Sequence, residues 1–278
     1  MSPASTLQHG LSIANGPAFD VEQTVAAAVA AEEAGWDGVF VSDAYAFGYS
    51  DPWTLLGAIA ARTERIRIGT WITGVPQQPP WRLAQQLATL DQLSNGRLLL
   101  GAGLGVRQDY ERFGEPYDPE ALGRRYDEAL EIIAGLWRGE PFTFEGEFFT
   151  VDGAVLPVVP VQQPRIPILI AGWWPSKPPF RRAARWDGVM PYWPALLGGA
   201  VGPEGQQPTG ASSEDELRAL MAYYDEVADN PGEIVLPREQ DDPDFDALCA
   251  QLGATWLMTN YVVDIDGILQ GPPPAPSN

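Results

Sequence analysis

The chain has 278 residues, of which 45% are hydrophobic and 10% aromatic, and a formal net charge of −20. This length suits one large β/α domain, because α/β barrels commonly run to about 200–250 residues as a single core. The acidic balance argues against a nucleic acid partner, since phosphate backbones are bound by clustered Lys and Arg. No segment approaches the ~20 apolar residues of a membrane span. The N-terminus lacks the regions of a signal peptide, so we expect a cytoplasmic protein.

A single cysteine, Cys249, and a single histidine, His9, exclude several kinds of site. The chain has no intrachain disulfide and no zinc site built from three or four Cys and His ligands. A Ser-His-Asp triad would depend on His9, which precedes the first predicted strand. Cys249 lies between Leu248 and Leu252 on a predicted helix, where we expect it to be a buried apolar filler. We therefore expect no metal centre and no thiol chemistry.

Strands and helices alternate through the first half of the chain. Asp20 and Gln23 form a capping-box pattern, and Pro52 suits a first helical position. The predicted elements are, in chain order, the strand Leu11–Asn15, the helix Asp20–Ala34, the strand Trp36–Asp43, the helix Pro52–Thr63, the strand Ile66–Thr73, the helix Trp81–Leu93, the strand Arg97–Gly105 and the helix Pro119–Arg138.

The alternation is interrupted once and then continues. Residues 141–163 have short alternating β runs and two turn signals, which predict a β-hairpin insertion on the rim after the fourth helix. The later elements are Ile166–Gly172, Pro179–Trp186, Gly188–Tyr192, Ser213–Val227, Glu233–Pro237, Phe245–Leu252, Thr255–Tyr261 and Asp264–Leu269. The Gly- and Pro-rich segment 195–211 is expected to be a mobile loop, and 272–278 is a Pro-rich tail.

Eight strands alternating with helices predict an α/β protein, a (β/α)8 TIM barrel that forms one domain over residues 1–271. Ligands of such barrels bind at the carboxyl ends of the strands. The residues at the predicted strand ends are mostly small, hydroxyl-bearing or aromatic. Asp43 is the only acidic residue that ends a predicted strand, and Asp109 lies farther out on a loop. A glycosidase would need two facing carboxylates, and a metal-dependent hydrolase would need His and acid clusters. The ends better suit a flat organic cofactor that brings its own reactivity.

The segment between the fifth strand and its helix contains Ser176 and Lys177, the only lysine of the chain. Together with the amides at the helix start, this hydroxyl and ammonium group could hold a phosphate. The competing interpretation is that Lys177 is a solvated loop charge. Aromatic residues near the strand ends form a candidate substrate pocket, and some of them are expected to serve packing alone. The candidate pocket residues are Tyr45, Trp71, Trp173, Tyr192 and Trp193.

Several segments, in this order, resemble the bacterial luciferase-like monooxygenase family of flavin- and deazaflavin-dependent oxidoreductases. They are AAAVAAEEAGWDGVFVSD, RIRIGTWITGVPQQPPWRLAQQLATLDQLSNGRLLLGAGLG, RFGEP, DEALEIIAGLWRGEPFTFEGEFFTVDG, QQPRIPILIAGWWP and FRRAARWDGVMP. The resemblance implies a luciferase-like TIM barrel with FMN or the deazaflavin coenzyme F420 bound at the strand ends. It further implies hydride or oxygen chemistry on a small organic substrate, and it is compatible with a homodimer.

The resemblance also implies which residues face the cofactor. Thr73 and Gly74 match the third strand where it lines the ring, often with an unusual peptide geometry. The glycines of the fourth strand match the cofactor wall, and the loop after the fifth strand matches the phosphate site. The cofactor-binding set is Ala14, Thr73, Gly74, Gly101, Gly103, Gly105, Ala171, Gly172, Ser176 and Lys177. Asp43 is the candidate catalytic residue. The SNGR turn is interpreted as scaffold, with Asn95 and Gly96 ending the helix and Arg97 paired with Asp91.

Two positions depart from the family pattern. Ala44 stands where many deazaflavin-using relatives carry a histidine, and alanine can neither donate nor accept a proton. Gln77 and Gln78 stand in a turn that is commonly basic, which weakens the case for a polyanionic cofactor tail. Three functions therefore stay open: a flavin-type oxidoreductase or monooxygenase, a non-catalytic flavin-binding relative that lost its acid–base group at Ala44, and, more distantly, a small-molecule hydrolase.

Overall fold

The computed structural model describes residues 7–13, 15–16, 19–193, 213–238, 242–262 and 265–273. Three expectations fall outside these residues, namely Ala14, the loop at 195–211 and all but the first two residues of the tail at 272–278.

The described strands form one closed barrel and one separate hairpin. They are β1 (Gln8–Ile13), β2 (Gly38–Val41), β3 (Arg67–Thr70), β4 (Thr73–Gly74), β5 (Leu98–Gly103), β6 (Phe142–Glu145), β7 (Thr150–Ala154), β8 (Ile168–Trp173), β9 (Gly188–Tyr192), β10 (Glu233–Arg238) and β11 (Trp256–Val262). Parallel pairing runs in the order β3, β2, β1, β11, β10, β9, β8, β5, and β3 also pairs with β5, which closes the ring. The short β4 pairs in parallel with the end of β5. The predicted (β/α)8 barrel is confirmed.

The helices pack outside the barrel. They are α1 (Val21–Glu33), α2 (Pro52–Ala60), α3 (Pro80–Leu93), α4 (Arg107–Glu111), α5 (Pro119–Leu136), α6 (Pro178–Ala183), α7 (Ser213–Val227), α8 (Pro243–Gln251) and α9 (Ile265–Leu269). The predicted capping box of α1 is confirmed, because the Gln23 amide N–H donates to Asp20 Oδ1 over 2.8 Å and the Asp20 N–H donates to Gln23 Oε1 over 3.0 Å. Asp51, Asp118 and Asp242 cap helices whose first residue is proline.

The predicted end of the first strand was wrong, and one short helix was missed. The first strand ends at Ile13 rather than Asn15. The Asn15 side chain instead donates to the Ser42 carbonyl over 2.8 Å and accepts from the Ser42 N–H over 3.0 Å, joining the ends of β1 and β2. The helix α4 was missed, because five residues are too few to show a helical apolar period.

The apolar core has an inner and an outer layer. The outer layer fills the space between strands and helices and includes Cys249, which is wholly buried as predicted. Burial raises the pKa of this thiol to about 12, so it stays protonated near neutral pH. The inner layer fills the barrel with Phe40, Trp71, Leu99, Leu169, Met190, Val235, Trp256 and Met258. His9 is buried near the start of β1, at the end of the barrel opposite the strand carboxyl ends.

The SNGR turn is scaffold, as predicted, but its arginine does not pair with Asp91. Asn95 and Gly96 have positive φ values of 56° and 79° and end α3. The buried Arg97 guanidinium donates to the carbonyl groups of Ala60, Thr63, Ile66 and Ser94 and to the Thr63 hydroxyl. Asp91 accepts instead from the Val161 and Gln162 main chain and the Gln162 side chain. Arg97 thus ties the α2–β3 loop to the start of β5.

The insertion contains the predicted hairpin, built from β6 and β7. It packs along the outer face of α5, where Glu128 accepts from the N–H groups of Glu147, Phe148 and Phe149. The insertion therefore lies beside α5. Among the described helices, none has the length and apolar character needed to cross a lipid bilayer.

Candidate active site

Three aromatic rings line the carboxyl end of the barrel. Trp71 follows β3, Trp173 ends β8 and Tyr192 ends β9. The Trp71 and Tyr192 rings meet edge to face with centroids 5.7 Å apart, and Trp173 stacks on Tyr192 at 6.0 Å with 8° between the planes. The structure therefore brings together three of the five residues predicted for the substrate pocket. They form a continuous aromatic floor between the barrel interior and its mouth.

Three polar atoms at this floor are buried without a hydrogen-bond partner in the described part of the protein. They are Nε1 of Trp71, Nε1 of Trp173 and Oγ1 of Thr73. Burying a polar group unpaired costs about 1–3 kcal/mol, so native proteins usually satisfy such atoms. Their grouping at the ends of β3, β4 and β8 fits a bound ring system with carbonyl and nitrogen acceptors along its edge.

Glycine and alanine form the adjoining wall. A β-carbon at Gly103 would come within 3.0 Å of the Ile72 side chain and 3.5 Å of Ala171, so Gly103 and Ala171 face each other at the mouth. The peptide bond between Trp71 and Ile72 is cis, just before Thr73, the position where the resemblance implied unusual geometry. Small residues here let the main chain approach a ligand closely.

Gln77 closes the outer end of this wall. Gly105 has a φ of +83°, and a β-carbon there would lie 2.9 Å from the Gln77 side chain. A β-carbon on Gly74 would overlap the same amide group. The Gln77 side chain thus lies in a cradle between Gly74 and Gly105, and its Nε2 donates to the Tyr45 hydroxyl over 3.3 Å.

Asp43 is a half-buried carboxyl group with an altered acidity. Burial is the main cause that raises its pKa to about 6, and the charges of Asp109 and Asp51 add to the effect. The nearby Thr73 hydroxyl opposes the shift, although it does not have the geometry of a hydrogen bond. A carboxyl group with this pKa can give or take a proton near neutral pH. The next residue, Ala44, adds only a methyl group.

Asp109 belongs to the same site, which the sequence did not reveal. This wholly buried residue on α4 accepts from the Ala46 N–H at Oδ1 over 2.7 Å, and its carbonyl accepts from the Tyr45 hydroxyl over 3.0 Å. Its Oδ2 has no hydrogen bond of good geometry, although the neighbouring Gln77 amide affects its acidity. Burial raises the pKa of Asp109. A search that stopped at strand ends missed it, because Asp109 lies in the first turn of the following helix.

The phosphate site expected at Ser176 and Lys177 is only partly supported. The Lys177 ammonium lies 3.7 Å from the Trp174 ring centroid and 3.6 Å from that of Tyr223, a residue of α7. The Ser176 N–H already donates to the Trp173 carbonyl over 3.0 Å. The helix α6 then begins with Pro178 and Pro179, which have no N–H to offer an anion.

Three further predicted residues have packing roles. Trp193 is wholly buried in the outer core layer and donates to the Ser213 hydroxyl over 2.9 Å, so it does not line the pocket. A β-carbon at Gly172 would meet Pro179 and Phe180, so the lack of a side chain at this position lets α6 pack closely against β8. A β-carbon at Gly101 would overlap the Thr70 carbonyl oxygen, so close strand packing accounts for this glycine without a ligand.

Arg125 is a basic residue near the mouth that sequence reasoning missed. Its guanidinium lies 5.0 Å from the Phe149 ring centroid, and its Nε is buried without a hydrogen-bond partner in the described chain. Its charge acts on Tyr110, whose hydroxyl donates to the Leu104 carbonyl just after β5. A basic group is therefore available beside the loop that follows Gly103.

Two other features lie apart from this site. Within the described residues, no three His, Cys, Asp or Glu side chains are grouped so that they could hold a metal ion. A groove of about 380 Å³ lies on the outer surface between α2 and α3, lined among others by Trp53, Arg82 and Leu93. It does not reach the strand ends.

The comparisons with known proteins agree with this geometry. A family model described as luciferase-like monooxygenase matches residues 4–190. An uncharacterized protein of Mycobacterium tuberculosis is 32% identical over 228 residues, or 74% of this chain and 71% of that protein. An F420-dependent glucose-6-phosphate dehydrogenase of Beutenbergia cavernae is 36% identical over 176 residues, or 59% of this chain and 50% of that protein.

Solved structures extend the similarity of fold over almost the whole chain. An F420-dependent secondary alcohol dehydrogenase, in complex with an F420–acetone adduct, aligns with a TM-score of 0.74 at 19% identity and covers 95% of this chain and 96% of that chain. The oxygenating constituent of 3,6-diketocamphane monooxygenase from Pseudomonas putida, in complex with FMN, aligns with a TM-score of 0.66 at 19% identity, over 88% of this chain and 72% of that one.

Proposed function

Because the chain belongs to the luciferase-like monooxygenase family of flavin- and deazaflavin-dependent enzymes, we propose that it binds FMN or coenzyme F420 at the strand carboxyl ends and uses it to reduce, oxidise or monooxygenate a small organic substrate. One observation carries this proposal: the unpaired polar atoms of Trp71, Thr73 and Trp173 gather beside a wall of small residues. When bound, the cofactor would supply the electrons for a reduction or monooxygenation, or accept those of an oxidised substrate.

The chain's own residues bind, orient and shield. Gly103 and Ala171 leave room for the ring against β5 and β8, and Thr73 with the two indole N–H groups offers it hydrogen bonds. The aromatic floor excludes water from the reacting face. Arg125 is our choice for the anionic group of the cofactor, with the Ser176 hydroxyl as a further donor, because Lys177 is held between two rings.

Asp43 is proposed to hold or move the proton at the substrate. Its raised pKa lets it exchange a proton near neutral pH, and it lies two residues after the end of the barrel strand β2. Ala44 favours a second candidate function, a relative that binds the cofactor without turning over a substrate. Turnover gained by an Ala44→His variant of an otherwise inactive protein would favour that second function.

The choice of cofactor is open between two groups with different tails. The relatives named F420-dependent dehydrogenases favour the deazaflavin. Gln77 and Gln78 favour FMN, because neither residue offers a charge to an extended anionic tail. Parallel titrations of the purified protein with the two cofactors, in oxidised and reduced forms, measure the preference directly.

The binding test uses the adjacent arginines as a matched pair. We expect at least one cofactor to quench tryptophan fluorescence with a Kd of roughly micromolar size. Arg125→Gln should weaken binding about tenfold, since a charge-assisted hydrogen bond is lost. Arg124→Gln should leave it unchanged, because Arg124 is exposed and pairs with Glu120 and Glu147. Failure of both cofactors to bind would overturn the proposal, and substrate-dependent oxidation of the reduced cofactor separates an enzyme from a carrier.

A further inference from the structure

We propose that the mouth of this barrel selects uncharged or cationic aromatic substrates and rejects phosphorylated ones. The inference rests on the proposed function and deepens it by naming a substrate class. It concerns the mouth wall, defined here as Asp43, the turn Tyr45–Phe47, Gln77, Asp109 and Phe113.

The mouth wall includes two carboxyl groups, Asp43 and Asp109, and Arg112 acts on the second of them with an opposing positive charge. Burial raises the pKa of Tyr45, and the charges of Asp109, Glu115 and Asp43 raise it further, so three carboxyl groups act on one hydroxyl. The wholly buried Asp109 also has an oxygen, Oδ2, without a hydrogen bond of good geometry. An anionic group placed here would be repelled by these carboxylates, whereas a cationic one would be attracted to them.

The positive charges near the mouth are already engaged. Arg107 pairs with Glu111 at 3.2 Å and lies over the Tyr117 ring. Arg112 donates to the Ala46 carbonyl over 2.6 Å and lies over the Phe47 ring. Lys177 is held between Trp174 and Tyr223, and Arg238 pairs with Asp246 at 3.1 Å.

The segments outside the described residues contain no Lys, Arg or His side chain. Arg125, which has the unpaired Nε, is the group assigned above to the cofactor. A phosphorylated substrate would therefore have to compete with the existing partners of the basic side chains named above.

The exposed part of the mouth wall is aromatic. Tyr45 is 43% exposed, and its ring meets that of the 63% exposed Phe113 edge to face at 5.0 Å. Phe47 is 45% exposed, and its ring centroid lies 6.3 Å from that of Tyr49. Large exposed aromatic residues grouped at a concave mouth offer stacking area, and ring faces attract cations and repel anions.

Gln77 is an uncharged residue of this wall at a position where a cation would fit. Its amide lies in the glycine cradle and donates to the Tyr45 hydroxyl, close enough to affect the acidity of Asp109. An arginine side chain from the same position would bring a positive charge beside Asp109. An arginine in place of Gln77 is therefore expected to reverse the preference for cationic over anionic substrates.

The test measures binding of four probes to the protein with and without saturating cofactor. The probes are benzyl alcohol, benzylammonium, benzoate and glucose 6-phosphate, and binding is followed by saturation-transfer NMR. We expect the alcohol and the ammonium ion to bind at least about tenfold more tightly than benzoate, and glucose 6-phosphate not to bind. Equal or tighter binding of either anion, or no binding of any probe, would overturn the inference.

Two variants locate the cause at the mouth wall. Asp109→Asn should reduce the preference for benzylammonium over benzyl alcohol by about threefold to tenfold. Gln77→Arg should raise benzoate affinity about tenfold, and Gln78→Arg, the matched control, should raise it much less. If Asp109→Asn does not fold, the Gln77 and Gln78 pair still decides, and equal effects of the two arginines would overturn the assignment. Probe selectivity without any cofactor binding would instead contradict the proposed function alone.

Discussion

Asp43 shows how the environment of one residue turns a common side chain into a candidate proton carrier. It lies two residues after the end of β2, where burial and the carboxylates of Asp109 and Asp51 favour its neutral form. Asp109, by contrast, reaches the same site from α4, and Arg125 comes from α5. Only Asp43 lies at a strand end, which explains why only Asp43 could be predicted as a site residue.

The raised pKa of Asp43 predicts a pH-dependent gain in stability for Asp43→Asn. The folded-state pKa of about 6 exceeds the unfolded value of 3.8, so the carboxyl group stabilises the fold fully only below about pH 4 and loses that contribution as the pH rises through about 6. At pH 7.5 we expect the variant to have a free energy of unfolding higher by about 2–3 kcal/mol. Urea denaturation at pH 7.5 and pH 4.5 measures the difference.

The difference between variant and parent should shrink markedly at the lower pH. Asp152→Asn serves as the control, because Asp152 is an exposed residue of β7 and should change stability little at either pH. A gain from Asp43→Asn that is the same at both pH values would show that ionisation is not its cause.

At the scale of elements, close packing between strands decides what their glycines do. A β-carbon on Gly101 of β5 would overlap the Thr70 carbonyl oxygen and lie 3.0 Å from Met190 Sδ. Gly57 of α2 has nothing within 4 Å of the same position. The main chain around Gly101 therefore leaves no room for a side chain, whereas Gly57 has room for one, although each glycine lies inside a regular element.

Alanine substitutions at these two glycines should therefore have opposite effects. Gly101→Ala should lower the free energy of unfolding by about 1–3 kcal/mol, since the strand main chain must shift. Gly57→Ala should raise it by about 0.5–1 kcal/mol, because alanine is the better helix former. Thermal and urea unfolding of both variants measure these changes. A fully stable Gly101→Ala protein would contradict the packing explanation for that glycine.

At the scale of the whole molecule, charge dominates the surface. The chain carries 37 acidic residues against 17 basic ones. Repulsion among like charges destabilises a compact state, and salt screens it over about 8–10 Å at physiological ionic strength. The homodimer that is compatible with the resemblance stays a prediction, and so does the location in the cytoplasm.

This imbalance predicts that salt stabilises the protein. Raising sodium chloride from about 0.02 M to about 0.5 M should raise Tm by a few degrees. Choline chloride at equal ionic strength should give a similar rise, because screening depends on ionic strength and not on the cation. A flat or falling Tm in both salts, measured by calorimetry, would contradict net repulsion as a destabilising force.

The sequence by itself determined the barrel, the order of its elements and the end at which ligands bind. Alternating apolar runs, helix caps such as Asp20 with Gln23, and the parallel β/α pattern are local signals that need no knowledge of distant contacts. Tertiary structure alone decided which residues meet at the mouth. The Lys177 ammonium group packs between two aromatic rings. Asp109 and Gln77, by contrast, both form hydrogen bonds with the Tyr45 hydroxyl. Such choices depend on groups far apart in the chain, and no local pattern records them.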